Sequence, residues 1–470
     1  MRKITFYTSC ILLITAASGC KKYLDVNHNN SSPASVPEAE ILSPVEASVS
    51  SLIYGGGNAM LVNAWLQNVS QNQETPNSDT YQVQNSSFDG YWPDYYVTTM
   101  NNTYQLIKEA NGHGNHEYAG IGQVLMAFTL GNATDLWGDV PYSQAFQGIV
   151  LATPRYDAQD TIYMDLQALL DSAITNLANT SSGTSVPGSD DFFYGGDAGK
   201  WTRAAYLLKA RFYMHLTKAP GYSATTQANL ALAALQNAMT SNSDDMAFTY
   251  TGTATGQNPL YQDYGPTSTS TSVLCATLVD SLVSRNDPRL AALVAGAPGT
   301  GLDSGRTAGA SGVLTLADFS TPGAFYGNAG SSTYVLNYTE ALFLKAEAEL
   351  ILSGVGAAQA YYRQGITTHM IKVGLDTTSA ACQAYLAARG TLPASNPYQY
   401  LMTEKDIANY FSNENYVDWR RTGYPTLTIV PGAVTSTIPR RFQYPLDELT
   451  SNPQPQQSAQ ITDRVWWDAQ

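Results

Sequence analysis

Apolar residues recur at three- and four-residue spacing through much of the chain, the period of a helix with one buried face. The clearest case is residues 161–177, where Ile162, Leu166, Leu169, Leu170, Ala173, Ile174 and Leu177 form one stripe. Similar spacing predicts helices over 38–54, 92–110 and 118–130. Two further pairs are expected: 201–216 with 227–239, separated by Pro220-Gly221, and 338–352 with 356–370, separated by Ser353-Gly354. Residues 404–419 read as one more helix. Few strands are expected.

In the last pair, Ala346 and Ala348 lie in the first helix and Ala358, Tyr362 and Gly365-Ile366 in the second. Small residues where two helices meet, followed by an aromatic, loosely resemble a tetratricopeptide hairpin. Between the helical pairs run long stretches rich in Gly, Ser, Thr and Tyr, at 180–199, 249–272 and 298–332. Loops of that length in a compact protein tend to carry function. They are interleaved with the helices, so the expected architecture is a single domain: a helical scaffold with a second, irregular lobe built from insertions.

The N-terminus is of a different kind. Arg2 and Lys3 precede an apolar run from Ile4 to Ala17, too short to span a bilayer and typical of a secretory signal. Ala17-Ser18-Gly19-Cys20 resembles a bacterial lipobox, in which the Cys20 thiol takes a lipid and the signal is cut just before it. Residues 1–19 are therefore read as signal peptide, 20–38 as a polar, Pro/Ser-rich tether, and 39–470 as the body. Cys10 falls in the signal, leaving Cys275 and Cys382 as one disulfide or two buried thiols.

The formal net charge is −14, and loss of Arg2 and Lys3 takes it to −16. That excludes nucleic acid as a partner, since counterion release needs a basic surface. It also argues against docking on anionic lipid by charge. Charged residues are only 13%, below the roughly 25% of ordinary globular chains. Polar neutral residues and 31 tyrosines fill the gap. Tyrosine offers an apolar face and a hydroxyl together, which suits sugars.

Most catalytic patterns fail. Gly195 to Lys200 is one residue short of a phosphate loop, and Trp201 stands where Ser or Thr should bind magnesium. His113 and His116 lack convergent partners for a metal, and no Gly-x-Ser-x-Gly elbow occurs. Asp135 with Asp139, and Asp244 with Asp245, have the form of a glycosidase pair, with loop caps as the plainer reading. No cofactor is expected, although Asp190-Asp191 is a candidate host for a structural Ca²⁺. The better lead is a cluster with stacking rings and hydroxyl-binding groups in one segment. From it Asn77, Asp79, Tyr81, Tyr91, Trp92 and Tyr95 are the candidate ligand-binding residues. Trp92 and Tyr95 also share a helical face, which tends to be buried.

Several strings are distinctive: Asp135-Leu136-Trp137-Gly138-Asp139-Val140-Pro141-Tyr142-Ser143, Asn286-Asp287-Pro288-Arg289, Thr339-Glu340-Ala341 through Ala346-Glu347-Ala348, Trp419-Arg420-Arg421-Thr422-Gly423-Tyr424-Pro425, and Pro439-Arg440-Arg441-Phe442-Gln443-Tyr444-Pro445. In order and spacing the chain resembles the SusD/RagB outer-membrane lipoproteins. The resemblance implies a mostly α fold with tetratricopeptide-like hairpins and an irregular ligand-binding lobe. It implies a binding protein without catalysis, lipid-anchored through Cys20 and exposed on the cell surface. Its partners would be an oligosaccharide, or in some members a peptide, and a SusC-like TonB-dependent transporter. The strings themselves are read as architectural, with Arg420 and Arg421 pairing with buried acids or capping carbonyls, and Trp137 and Pro141 packing a turn.

Overall fold

The computed structural model describes residues 36–179, 181, 183, 185–454 and 459–469. The signal, Cys20 and nearly all of the tether lie outside the described residues. The body starts at Glu38, which is buried and accepts hydrogen bonds from His113 and Asn115, so the last tether position belongs to the first helix.

The described helices of nine residues or more, in order, are α1 Glu38–Ser48, α2 Gly57–Trp65, α3 Asn101–His113, α4 His116–Trp137, α5 Gln159–Ala178, α6 Ala198–His215, α7 Ala224–Leu235, α8 Ala276–Ser284, α9 Tyr338–Ser353, α10 Val355–Lys372, α11 Ala380–Arg389, α12 Pro397–Ala408 and α13 Asn413–Thr422. Two π-helical segments, Val49–Tyr54 and Asp94–Met100, continue α1 and lead into α3. Each of α3 to α6 packs on the next, α7 packs on α9, and α9 packs on α10. This is the tetratricopeptide-like stack that the sequence predicts. Small residues let the helices close up. A Cβ on Gly365 would sit 2.9 Å from the Phe343 ring, and one on Gly131 would sit 2.5 Å from Phe212.

Helix starts follow their capping residues. Asp197 accepts from the Lys200 N–H and Asn337 from the Glu340 N–H, so α6 and α9 begin where an oxygen satisfies an orphan donor. Gly354, with φ of 81°, turns the chain between α9 and α10. The helix expected over 404–419 is two helices. The chain breaks at Asn409 to Ser412, where Phe411 adopts φ of 62°. Asn415 donates to the carbonyls of Asp406 and Asn409, and Ser412 caps α13. The break turns Tyr410 and Phe411 into the core of the lobe.

The lobe holds three short antiparallel strand pairs among the described residues: β1 Val69–Gln71 with β3 Ser272–Leu274, β2 Met246–Thr249 with β6 Ser332–Leu336, and β4 Val294–Ala295 with β5 Thr321–Pro322. Its own core is Leu278, Val279 and Leu282 of α8 with Leu293, Tyr326, Tyr410 and Phe411. Cys275 and Cys382 are both buried and free, and they sit in different clusters.

The distinctive strings are structural. Arg421 grips Glu347 through both guanidinium nitrogens at 2.6 and 2.9 Å and also reaches Asp418 at 2.8 Å. Arg420 donates to the carbonyls of Asp135 and Arg440 and lies over the rings of Tyr416 and Trp467. Trp137 donates to the Gln443 carbonyl, and Asp135 accepts from Tyr163 and Trp467. Arg211 of α6 pairs with Glu340 of α9, while His215 of α6 and Lys405 of α12 converge on Glu414 of α13. Burial pushes the Glu414 carboxyl up, but His215, Arg211 and Lys405 together hold it well below the usual range.

One acid in this region behaves oppositely. The Oδ1 of Asp406 is fully buried without a hydrogen bond, although the residue as a whole is only partly buried. Burial pushes its carboxyl from 3.8 to about 7, against the pull of Arg285 and with the push of Asp418. The folded state therefore prefers the protonated acid. Its contribution to stability is full below the unfolded value and is lost as pH rises through about 7. Asp406→Asn is expected to flatten stability over that window, read as the urea midpoint against pH. An unchanged slope would show that Asp406 ionises freely.

Candidate functional site

A cleft of about 600 Å³ opens where the scaffold meets the lobe. One wall comes from the end of α1 and the first π segment (Ala47, Ser51, Leu52). The floor is Gly55-Gly56-Gly57 and Met60, and the far wall is Phe248, Tyr250 and the loop from Thr255 to Asp263. The three glycines are there because the turn is tight: a Cβ on Gly56 would lie 2.2 Å from the Leu52 carbonyl oxygen. Gly57 has the Tyr91 ring directly behind it.

Three polar side chains of this cleft are uncommitted. Among the described residues the side chains of Gln257, Gln262 and Asp263 make no hydrogen bond, whereas Ser50 holds the Tyr250 hydroxyl at 2.7 Å and so fixes its ring. Burial raises the Asp263 carboxyl above its ordinary value. Tyr250 packs 5.0 Å from Phe248, which packs 5.7 Å from Phe192, and Phe192 is 50% exposed. An aromatic strip thus runs from the cleft wall to open solvent, beside two free amides and a free carboxylate. That combination offers ring faces to apolar C–H surfaces and acceptors and donors to hydroxyls.

The residues singled out from sequence fall mostly elsewhere. Asp79, Tyr81, Trp92 and Tyr95 are buried, a correction to their expected role. Asp79 accepts from Ser70, the Gln71 N–H and the Gly309 N–H. Trp92 stacks on Tyr96 at 4.4 Å and meets Trp137 edge-on, and Tyr95 meets Trp137 edge-on while its hydroxyl accepts from Asn58. Their ring faces are taken by one another because the helical face carrying them is turned inward. Tyr91 is partly buried behind Gly57, and Asn77 is exposed. Asn77 follows Thr75-Pro76, which lines a second cleft of about 490 Å³ with Thr80, Gln82 and Gly309 to Ser311. Arg306 holds that loop by donating to Asn72 and to the carbonyls of Ala310 and Gly312.

Sequence reasoning marked the loop 249–272 as functional but named none of its side chains. Phe192, Phe248, Tyr250, Gln257, Gln262 and Asp263 were missed; the available signal was Tyr, Gln and Asp within a long Gly/Thr loop. The four glycosidase-like carboxylates are all tied up: Asp135 as above, Asp139 by the Gln159 N–H, Asp244 by Arg203 and Asp245 by Lys372. Asp191 accepts from the N–H groups of Phe193, Tyr194 and Gly196 and from Trp201, so its oxygens organise the loop into α6. His113 is bonded to Glu38.

Comparison with curated protein sequences gives no match. Solved structures do match. A chitin-binding protein superposes with a TM-score of 0.78 at 25% identity, over 92% of this chain and 100% of its own. A chitin-binding SusD homologue from Flavobacterium johnsoniae gives 0.78 at 23% identity, covering 92% and 98%. A SusD/RagB family protein from Bacteroides thetaiotaomicron gives 0.73 at 23%, covering 92% and 99%. Residues 29–445 match the SusD-like family described as starch-binding and associating with the outer membrane. The chain belongs to the SusD/RagB family of nutrient-binding proteins.

Proposed function

We propose that this protein is a cell-surface lipoprotein that captures an oligosaccharide in the 600 Å³ cleft and passes it to a SusC-like TonB-dependent transporter, without catalysis and without a cofactor. The observation that carries this reading is the Tyr250–Phe248–Phe192 strip beside Gln257, Gln262 and Asp263. The chitin-binding neighbour at 25% identity supports a saccharide as cargo. A single acid, Asp263, lines the cleft, whereas glycoside hydrolysis uses two opposed carboxyl groups. Val313, Leu314 and Leu316, at 66%, 58% and 45% exposure, give the lobe an unpartnered apolar edge suited to a barrel partner.

The test is calorimetric titration of the acyl-free protein with chito- and malto-oligosaccharides and a peptide mixture. One saccharide series is expected to bind with no release of reducing ends. Tyr250→Ala, which removes a stacking face, and Asp263→Ala, which removes a charge-assisted contact, should each weaken it about tenfold or more. Binding of peptides with every glycan silent would select the RagB-like reading instead. Turnover of any polysaccharide would overturn the non-catalytic assignment.

A further inference from the structure

Away from the lobe, a cavity of about 350 Å³ lies where the ends of α6, α12 and α13 meet α9. Its base is the buried Arg421–Glu347 pair, 3% and 1% exposed. Tyr398 and Tyr424 form partly buried walls, and neither phenol hydroxyl hydrogen-bonds within the described residues. Lys218 stands at the exposed side and takes part in no ion pair among them.

Arg421 takes both oxygens of Glu347 and one of Asp418, and the other Asp418 oxygen takes Lys405 at 2.7 Å. Lys405 is shared with Glu414 at 3.7 Å, so these acids are already engaged, whereas Lys218 at the cavity mouth joins no ion pair among the described residues. Arg421 also keeps a buried Nε with no hydrogen-bond partner. The N-terminus of the 12-residue helix α12 borders the same cavity through Asn396, Pro397 and Tyr398. Asn396 makes no side-chain cap bond and Pro397 carries no N–H, so the positive end of that helix is unscreened by a capping oxygen. Partial burial and Arg421 lower the Lys218 ammonium's pKa, against the pull of Glu347 and Asp468.

We propose that this cavity is a second ligand site, separate from the lobe cleft, that takes a carboxylate carried on a sugar ring, as in a uronic acid. Lys218 holds the carboxylate. Tyr398 and Tyr424 supply ring faces and free hydroxyls for the sugar. Four strings or elements distant in sequence build it, and Arg421, Thr422 and Tyr424 come from the single run Trp419 to Pro425.

The test is calorimetric titration of the acyl-free protein with D-galacturonate, D-galactose and acetate at fixed ionic strength. Galacturonate is expected to bind at least about tenfold more tightly than either galactose or acetate. Lys218→Gln should weaken galacturonate about tenfold or more, one charge-assisted hydrogen bond's worth, and Lys218→Arg should retain it. Lys218 is exposed and unbonded, so both variants should match the parent in thermal unfolding. Equal affinity for galactose would show that charge is not read, and equal affinity for acetate that the ring is not. Either result, no binding at all, or full affinity in Lys218→Gln would overturn the site.

Discussion

Arg289→Ala is expected to destabilise the protein by about 3–5 kcal/mol, the usual cost of leaving buried charge without its partner. The Arg289 side chain is fully buried. It donates to both oxygens of Asp287 at 2.8 and 2.6 Å, to Glu404 at 2.7 Å and to the Tyr385 hydroxyl at 3.1 Å. Removing it strands two carboxylates away from water. Arg289→Lys should rescue little, because one ammonium cannot reproduce the planar fork that spans Asp287 and Glu404. The triple change Arg289→Met, Asp287→Asn, Glu404→Gln should recover much of the loss, since it removes the charges and not just their partner. Denaturant midpoints of the three proteins decide this. A single variant within about 0.5 kcal/mol of the parent would mean the pair is solvated in solution.

The placement of this cluster matters for binding. Asp287 and Arg289 lie in the lobe just after α8, Tyr385 is on α11 and Glu404 on α12. His369 of α10 faces the same guanidinium, and burial with Arg289 and Lys372 keeps its imidazole neutral. The lobe is thus bolted to the scaffold by charge as well as by Tyr410 and Phe411. Loosening that joint is expected to move the cleft walls, because Met60 comes from the scaffold and Gln257, Gln262 and Asp263 come from the lobe.

The scaffold was legible because its information is local. A stripe such as Ile162, Leu166, Leu170, Ala173 and Leu177 is buried residue by residue, as helical spacing demands. The strings were legible as architecture for a related reason: Arg421 and Trp137 are residue types that a core accepts only with partners, and both have them. The break at Asn409 to Ser412 was not legible, since Asn415 and Ser412 carry no mark of their capping role outside the folded chain. The strand pairs join distant segments, Val69 with Leu274 and Phe248 with Thr333, and no local pattern specifies that register. The residues of the proposed binding cleft were obscured by the same density of rings that drew notice. In the cluster from Tyr81 to Tyr96, Trp92 and Tyr95 pack on Trp137 and Phe88 and Tyr91 on Phe442, while the cleft has two rings at a strand end and one on a neighbouring loop.

Cys20→Ala is expected to move the protein from the membrane fraction to the soluble fraction, with Cys10→Ala without effect on the mature protein. Each buried methylene contributes about 0.8 kcal/mol, and stable anchoring takes more than one acyl chain. No described helix is long and apolar enough to cross a membrane. A formal charge of −14 opposes adsorption to anionic headgroups. Release should be accompanied by loss of growth on the glycan the protein is proposed to capture, while the purified variant binds that glycan normally. The second half separates anchoring from folding, because the residue lies about 18 positions before α1 and the substitution leaves the body untouched. Retention of the Cys20→Ala protein at the membrane would place the attachment in the body itself, with the exposed lobe edge at Val313, Leu314 and Leu316 as the surface to examine.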